Sequence, residues 1–469
     1  MKLSRGSTPF LQPLVLVFAC WAITGLAAAW TLANLHDLDL VQTFMRREGI
    51  STSVFGTAGL VWIGFGLLAY AVGDLAARKT RPATFLSQDA LRADRGAQMT
   101  FLANLVLLGV TALWIVTSAA KAGGLINLAA AAYADSLTTR DLLLENKLFT
   151  GMRLFYAALP ATACLAAALL ATGSLSRRSS RLMMATLGVN TVALLILPLV
   201  MSQRLLLLQL LLSAYFAACL VKGRVFGLHW AGLAALHFAA LWVGREAITT
   251  PIVQRPAMDI ATQKLAFYVV NDMFNAFAPV SVPIHNTNGG LLLEGVMFLT
   301  FTDGYFLKLL EPRIAALDPV IGGGEFPFFT AAYVDFGAKG GAIFICLTGF
   351  VLRRIYIRGT RHFAWAVIYA QVAAALMFSS HSVYFTHQNF YFSAALIGVI
   401  VMLSLKQPIE IPVVEDAPDE AGPVFRTRRD NGAMRPALPP SLLSQLVIFQ
   451  SQRGAEQPAK TEAPSHASG

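Results

Sequence analysis

Residues 182–221 read LMMATLGVNTVALLILPLVMSQRLLLLQLLLSAYFAACLV, two apolar runs separated only by Ser202, Gln203 and Arg204. A helix needs about 20 apolar residues to cross the hydrocarbon layer of a membrane. Each run is close to that length, and nothing between them is long enough for a loop beyond a tight turn. The stretch therefore predicts a hairpin of two membrane-spanning helices.

The composition extends this prediction to the whole chain. Of its 469 residues, 56% are hydrophobic and 13% are charged, and the mean hydropathy is +0.60. Soluble proteins are about 45–50% apolar and about 25% charged, so a soluble enzyme, a secreted disulfide scaffold and a disordered chain are excluded. We predict an all-α polytopic integral membrane protein with about ten transmembrane helices. The predicted spans are 10–33, 51–75, 99–119, 152–173, 182–201, 205–221, 226–245, 328–352, 364–380 and 389–405.

The basic residues are distributed unequally between the two sides of the membrane in the predicted topology. The net charge of +10 comes from 36 Lys and Arg against 26 Asp and Glu. Seventeen of the basic residues fall before span 1 or just after spans 2, 4, 6, 8 and 10, and six more lie in 408–469. Alternation of the spans places all of these on one side of the membrane. By the positive-inside rule this side is cytoplasmic, and so are both termini. The basic residues are thus topological anchors, and no nucleic-acid partner is expected.

The chain divides into two regions. Residues 1–407 form the predicted transmembrane domain, with a large external loop at 246–327. This loop contains LLLEGVMFLTF (291–301), which is typical of helices that lie against the membrane face or dip into it. Residues 408–469 hold nine of the 21 prolines and are predicted to form a disordered cytoplasmic tail. The four cysteines lie inside predicted spans, so no disulfide framework is expected.

Arg204 is the most informative single residue, because an external arginine between two spans runs against the positive-inside trend. A guanidinium is always charged and its fork matches phosphate oxygens, so a lipid-linked diphosphate is the expected ligand. A plain charge at the turn of a hairpin is the alternative. Arg140, Arg153 and Arg245 are also external by this topology and are candidates for the same anion site, or for ordinary headgroup contacts.

The segment GGGEFPFFTAAYVDFGAKGG (322–341) is the second candidate site. Asp335 lies within a predicted span, where an ionisable group is a functional candidate by default. Asp335 and Lys339 are spaced i,i+4, so a packing ion pair on one helix face is the alternative. Glu325 lies just outside the span and is free to act as a base.

Other polar residues give weaker signals. His285, His381 and His387 lie in external loops, and histidine suits proton transfer near neutrality. Asp37 and Asp39 form a D-x-D pair after span 1, a pattern that some membrane glycosyltransferases use to bind a metal. The sequence has no phosphate-binding loop, HExxH motif or serine-hydrolase elbow. We expect no cofactor and no bound metal.

The pattern resembles the oligosaccharide repeat unit polymerases (Wzy-type O-antigen and exopolysaccharide polymerases). That family shows a Ser-x-Arg before a Leu-rich span, matched here by residues 202–212, then a large external loop and a helix with a characteristic motif. The matching residues of that helix are Thr330, Tyr333, Asp335, Phe336, Gly337 and Gly340, followed by Gly349 and RRIYIRG (353–359). Family members often have Asn before the Thr, where this chain reads Glu325-Phe326-Pro327-Phe328.

The resemblance implies a metal-independent, C-type glycosyltransferase architecture in the bacterial inner membrane, with a periplasmic active face. The substrates would be undecaprenyl-diphosphate-linked oligosaccharides, joined by block transfer, and a chain-length regulator and a flippase are possible partners. The expected leaving-group and substrate contacts are Arg204, Arg245, Arg153, Arg140 and Lys339. The expected base candidates are Glu325, Asp335 and His285.

Two alternatives stay open at this point. The first is an O-antigen ligase or another transferase of polyprenyl-linked sugars, which would use Asp37 and Asp39. The second is a lipid-linked oligosaccharide flippase. Transporters place ionisable groups at the membrane midplane and often contain internal repeats. The predicted spans are nearly free of such charges and show no repeat, which disfavours the flippase.

Overall fold

The computed structural model describes residues 8–79, 92–134, 139, 142–143, 145–201, 205–225, 227–249, 255–317, 321 and 324–405. Regular structure in this part of the chain is helical. The α-helices are α1 Pro13–Ala33, α2 Asp39–Arg47, α3 Thr57–Lys79, α4 Ala93–Lys121, α5 Leu125–Ala134, α6 Met152–Ala157, α7 Leu159–Ala171, α8 Arg177–Met201, α9 Leu205–Lys222, α10 Leu228–Thr249, α11 Ala257–Ser281, α12 Glu294–Leu299, α13 Asp303–Ala315, α14 Phe328–Gly359, α15 Phe363–Leu376 and α16 Gln388–Ser404. The predicted tail, 408–469, lies outside the described residues.

Among the residues that the structure describes, seven helical segments are long and apolar enough to cross a membrane. They are Pro13–Ala33, Thr57–Arg78, Ala93–Lys121, Met152–Ala171, Arg177–Leu197, Leu205–Lys222 and Phe328–Gly359. Each coincides with a predicted span, so the polytopic, all-helical class is confirmed. Of the other three predictions, 226–245 falls on α10, while 364–380 and 389–405 fall on α15 and α16, which are shorter apolar helices.

Helix ends that the charge pattern assigns to one side meet in the structure. The side chain of Gln12, just before α1, accepts hydrogen bonds from Arg78 at 3.3 Å and from Arg353 at 3.1 Å. The backbone N–H of Arg92, before α4, donates to the carbonyl of Ser404 at the end of α16, at 3.0 Å. We call this the basic end of the bundle. The contacts agree with the predicted alternation of spans, and the cytoplasmic orientation of this end stays a prediction.

A stripe of glycines on α3 sets its packing. Gly59, Gly66 and Gly73 recur at every seventh position, and a methyl group at any of them would overlap a neighbour. The overlapping groups belong to Phe277 of α11, Phe329 of α14 and Cys346 of α14, in that order. Small residues let membrane helices approach closely and pack by van der Waals contact. The stripe therefore holds α3 directly against α11 and α14.

Helix α14 is broken at Gly337, which has φ 68° and ψ −176°. This backbone region is accessible almost only to glycine. The break separates Asp335 from Lys339, so the prediction that they share one helix face is wrong. Lys339 is exposed, Asp335 is fully buried, and no ion pair joins them among the described residues.

Candidate active site

A cavity of about 350 Å³ lies where several helices begin. Its lining includes the residues before and at the start of α14, the first residues of α16, Arg153 at the start of α6, and residues of α12 and α13. Helices α14 and α16 run from this cavity to the basic end. The cavity is therefore at the opposite end of the bundle, on the side that the charge pattern predicts to be external.

Glu325 is the central carboxylate of the cavity. The hydroxyl of Ser382 donates a hydrogen bond to its Oε2. The Nε2 atom of His387 lies 3.6 Å from the same oxygen, and the Glu325 side chain remains 51% exposed. The carboxylate is thus oriented by two polar neighbours and still open to a ligand, which is what a general base requires.

The backbone around Glu325 is fixed by hydrogen bonds to neighbouring elements. The side-chain amide of Asn275 on α11 donates to the Glu325 carbonyl at 3.2 Å. The Phe328 N–H donates to the Ser379 carbonyl at 2.9 Å, and the buried Thr330 hydroxyl donates to the Ala276 carbonyl at 2.9 Å. Helix α11 and the segment after α15 together hold Glu325 at the cavity wall.

Two further charged residues line the same cavity. Arg153, on α6, is the one predicted anion-binding arginine whose side chain is described, and it is half-buried in the lining. Glu294 opens α12 and was not predicted as a site residue. Desolvation at the cavity wall raises the pKa of the Glu294 carboxyl, His387 lowers it, and the charge of Glu325 raises it. The described lining of the cavity thus includes one arginine and two carboxylates in different surroundings.

A second pair of polar side chains involves His381, the residue next to Ser382 of the cavity lining. Nδ1 of His381 lies 2.7 Å from Oδ1 of Asp272, a buried residue of α11. Burial by itself lowers the pKa of His381, but the hydrogen bond and charge of Asp272, with Glu325 adding to them, raise it above its ordinary value. Burial raises the pKa of Asp272, while His381 opposes this. His381 directly precedes Ser382, and it lies close enough to Glu325 for the charge of that carboxylate to raise its pKa.

Asp335 is not among the described residues that line the cavity, and its contacts are different. Its carboxylate accepts hydrogen bonds from the Thr287 hydroxyl, from the Leu291 N–H at 3.1 Å and from the Leu292 N–H at 2.8 Å. A buried carboxylate with these three donors clamps the turn at 287–293 onto α14. That turn leads into α12 and so positions Glu294.

The other predicted residues are not brought to the cavity. His285 and Lys339 are exposed, and neither is among the described residues that line it. Arg140 and Arg204 lie outside the described residues. Arg245 lies on α10, but its side chain is outside the described part of the structure.

The two carboxylates of the D-x-D pair do not converge. Both oxygens of Asp39 accept hydrogen bonds from Arg255, at 2.8 and 2.5 Å, and this pairing lowers the pKa of Asp39. Asp37 is exposed and lies 3.1 Å from the neighbouring His36. Across the described residues there is no group of three His, Cys, Asp or Glu side chains arranged to hold a metal. The geometry therefore gives no support to a D-x-D metal site.

Three residues of the site, Asp272, Glu294 and Ser382, were not predicted from the sequence. Two of them carried a usable signal. Glu294 is the single acidic residue in LLLEGV (291–296), and Asp272 is the single acidic residue in VVNDMF (269–274). An isolated carboxylate in an apolar run is costly unless it is paired or functional. Ser382 carried no such signal.

No protein-family model, no curated protein and no solved structure matches this chain. The resemblance to the repeat unit polymerases therefore rests on the motif residues alone. The fold and the cavity define a polytopic membrane protein with a polar, charged pocket at the end opposite its basic end.

Proposed function

We propose that the chain joins undecaprenyl-diphosphate-linked oligosaccharide repeat units into O-antigen or exopolysaccharide chains. The reaction takes place in the cavity around Glu325, on the periplasmic side of the bacterial inner membrane. The observation that carries the proposal is the convergence of Arg153, Glu325 and His387 in one cavity. Glycosyl transfer from a lipid diphosphate needs a base and a cation within reach of the same bond.

The chemical step is the attack of an acceptor hydroxyl on an anomeric carbon. A new glycosidic bond forms, and the bond between the anomeric carbon and the diphosphate oxygen breaks. Glu325 accepts the proton of the hydroxyl, and Ser382 and His387 hold its carboxylate in position. General base catalysis by an oriented group contributes about 10²–10⁴-fold to a rate.

The departing diphosphate gains negative charge as this bond breaks. Arg153 stabilises that charge from the cavity wall, since preorganised cations act most strongly on charge that develops in the transition state. Arg204 and Arg245, predicted from the sequence to be external, are the further candidates for this role. Desolvation at the cavity wall raises the pKa of Glu294, so this carboxyl retains its proton to higher pH than a glutamate in water.

The direct test is deletion of the gene in its native host, followed by analysis of the lipid-linked sugars. Loss of the protein is expected to remove long glycan chains and to leave lipid-linked single repeat units, and the intact gene restores the chains. If long chains persist on the lipid carrier without the protein, the polymerase proposal is wrong. Lipid-linked polymer that is no longer transferred to its final acceptor would instead identify a ligase.

The transport alternative is distinguished in the same strain. A flippase mutant retains its single repeat units on the cytoplasmic face, while a polymerase mutant exposes them on the periplasmic face. Labelling of these units by an impermeant reagent in spheroplasts separates the two outcomes. We expect the units to be labelled.

A further inference from the structure

Helices α12 and α13 form a short hairpin, and several of its apolar side chains are exposed. Phe301, between the two helices, is 91% exposed. The most exposed of its apolar neighbours on α13 are Tyr305 at 72% and Leu309 at 65%. The fractions of Tyr305 and Leu309 match those of apolar residues on the candidate spans, such as Leu26 at 72% and Leu60 at 63%, and that of Phe301 is higher. On a membrane-spanning helix, such positions are expected to face lipid.

The tip of the hairpin also has an unusual backbone. Phe301 has φ 57°, in the left-handed region that non-glycine residues rarely occupy. Because the Phe301 ring is almost fully exposed, its packing against the described residues does not compensate for this backbone strain. Water would penalise the exposed ring, and a hydrocarbon environment would favour it.

The position of the hairpin along the bundle axis is set by its contacts with the ends of apolar helices. Gly295 on α12 lies against the backbone of Thr386 and Gln388, where α16 begins, and a methyl group there would overlap them. The ring of Phe298 lies beside Gly151, just before the candidate span Met152–Ala171. The hairpin therefore lies at the same depth as the ends of these apolar helices, where they would enter the membrane.

We propose that the α12–α13 hairpin is immersed in the outer leaflet, with Phe301, Tyr305 and Leu309 among lipid acyl chains. The groove between the two helices, about 490 Å³ and lined mainly by Leu, Val, Met and Phe, opens into the same hydrocarbon. Glu294 lies on this hairpin and also lines the active-site cavity, so immersion brings the cavity mouth to the headgroup level. This last consequence rests on the proposed function, whereas the immersion does not.

The test places an environment-sensitive fluorophore on single cysteines. Cys346 is first replaced by Ala because it is partly exposed and could react with the label, whereas the other three native cysteines are buried. NBD is then attached at Phe301→Cys or, as a matched control, at Glu311→Cys. Glu311 is an exposed residue of α13 that lies on the face opposite Tyr305 and Leu309 by helical spacing. Both proteins are reconstituted in phosphatidylethanolamine and phosphatidylglycerol vesicles, with or without nitroxide-labelled acyl chains.

NBD at position 301 is expected to emit at shorter wavelength than at position 311 and to lose most of its emission to the nitroxide lipids. The label at position 311 is expected to resemble NBD in water and to be little quenched. Equal, water-like emission at both positions overturns the proposal. A blue-shifted label at 301 that nitroxide lipids do not quench also overturns it, since the ring would then be covered by protein. These fluorescence measurements do not depend on glycan synthesis, so they test the immersion of the hairpin independently of the proposed polymerase function.

Discussion

Asp272 and His381 are 109 residues apart in the chain, yet Oδ1 of the first lies 2.7 Å from Nδ1 of the second. The pair joins α11 to the loop between α15 and α16, one residue from Ser382. Asp272 keeps His381 protonated above the pH at which a free imidazole loses its charge. The loop that orients Glu325 therefore keeps its imidazolium to higher pH than a free histidine would, paired with the carboxylate of Asp272.

Asp272→Asn is expected to lower the pKa of His381 below its ordinary value, because burial then acts without the opposing carboxylate. Protonated His381 would then persist only at lower pH, and the alkaline limb of glycan synthesis would move to lower pH. Histidine NMR titration measures the first effect, and chain synthesis in membranes across a pH series measures the second. Asp259→Asn, on the same helix and hydrogen-bonded to Gln263, is the control. An unchanged His381 titration in Asp272→Asn would contradict the assignment.

Glu325→Gln is expected to reduce chain synthesis by about 10²–10⁴-fold, because the amide cannot accept the proton of the acceptor hydroxyl. The protein should still be present at normal levels, since the side chain is half exposed. Glycan gels and immunoblots of the same membranes measure both. Glu311→Gln, an exposed change outside the cavity lining, should leave the chains intact. Full-length chains in Glu325→Gln would remove it as the base.

Arg153→Ala is expected to abolish long chains, and Arg153→Lys to restore them only in part, because an ammonium lacks the planar fork of a guanidinium. The same order is expected for Arg204→Ala and Arg204→Lys. Arg47→Ala removes an exposed arginine that pairs with Glu48 and is the control. Gel analysis of chain length reads out all five variants. If Ala and Lys variants at either position retain wild-type chains, that arginine does not contact the leaving group.

Asp335→Asn is expected to destabilise the turn at 287–293. The amide leaves buried N–H groups of Leu291 and Leu292 with a poorer acceptor, at a cost of about 1–3 kcal/mol. Faster hydrogen exchange of this segment and a lower Tm measure the effect, with the exposed Asp37→Asn as control. If Asp335→Asn keeps its exchange protection and Tm but loses chain synthesis, Asp335 acts on substrate, as the sequence predicted.

Gly73→Ala is expected to lower the Tm of the purified protein, because the added methyl overlaps the backbone carbonyl of Cys346 and one helix must move. Overpacking of this kind costs about 1–3 kcal/mol. Gly64→Ala, on the same helix with no atom within 4 Å of the new methyl, is the matched control and should be neutral. Equal Tm values for the two variants would contradict the close approach of α3 and α14.

The class of fold could be predicted from sequence because a membrane span leaves a strong local signal. Its length and apolarity are visible in one window, and the charge that follows it fixes its direction. Seven predicted spans match candidate membrane helices for this reason. The break at Gly337 was missed because the prediction treated the spacing of Asp335 and Lys339 as uninterrupted helix.

The candidate site was less predictable, because it is assembled from residues distant in sequence. Glu325 and Arg153 were predicted from their types and their positions near span ends. The Asp272–His381 pair and the bond from Ser382 to Glu325 depend on how α11 and the last loop pack, and no local pattern encodes that packing. Asp335 looked functional because it is ionisable within a span, and its hydrogen bonds to the turn at 287–293 were invisible in the sequence.

Helix α3 places no described side chain in the cavity, yet it governs where the cavity lies. Gly59 and Gly73 are about 21 Å apart along the helix axis. The first touches α11 beside the residues that hold Glu325, and the second touches α14 in the half that runs to the basic end. The spacing of these two glycines on α3 therefore helps to set the distance between the cavity and the basic end. A one-residue insertion between Gly59 and Gly73 would shift the contacts of α3 with α11 and α14 relative to each other. The site would then be displaced from the opposite membrane surface although none of its own residues had changed.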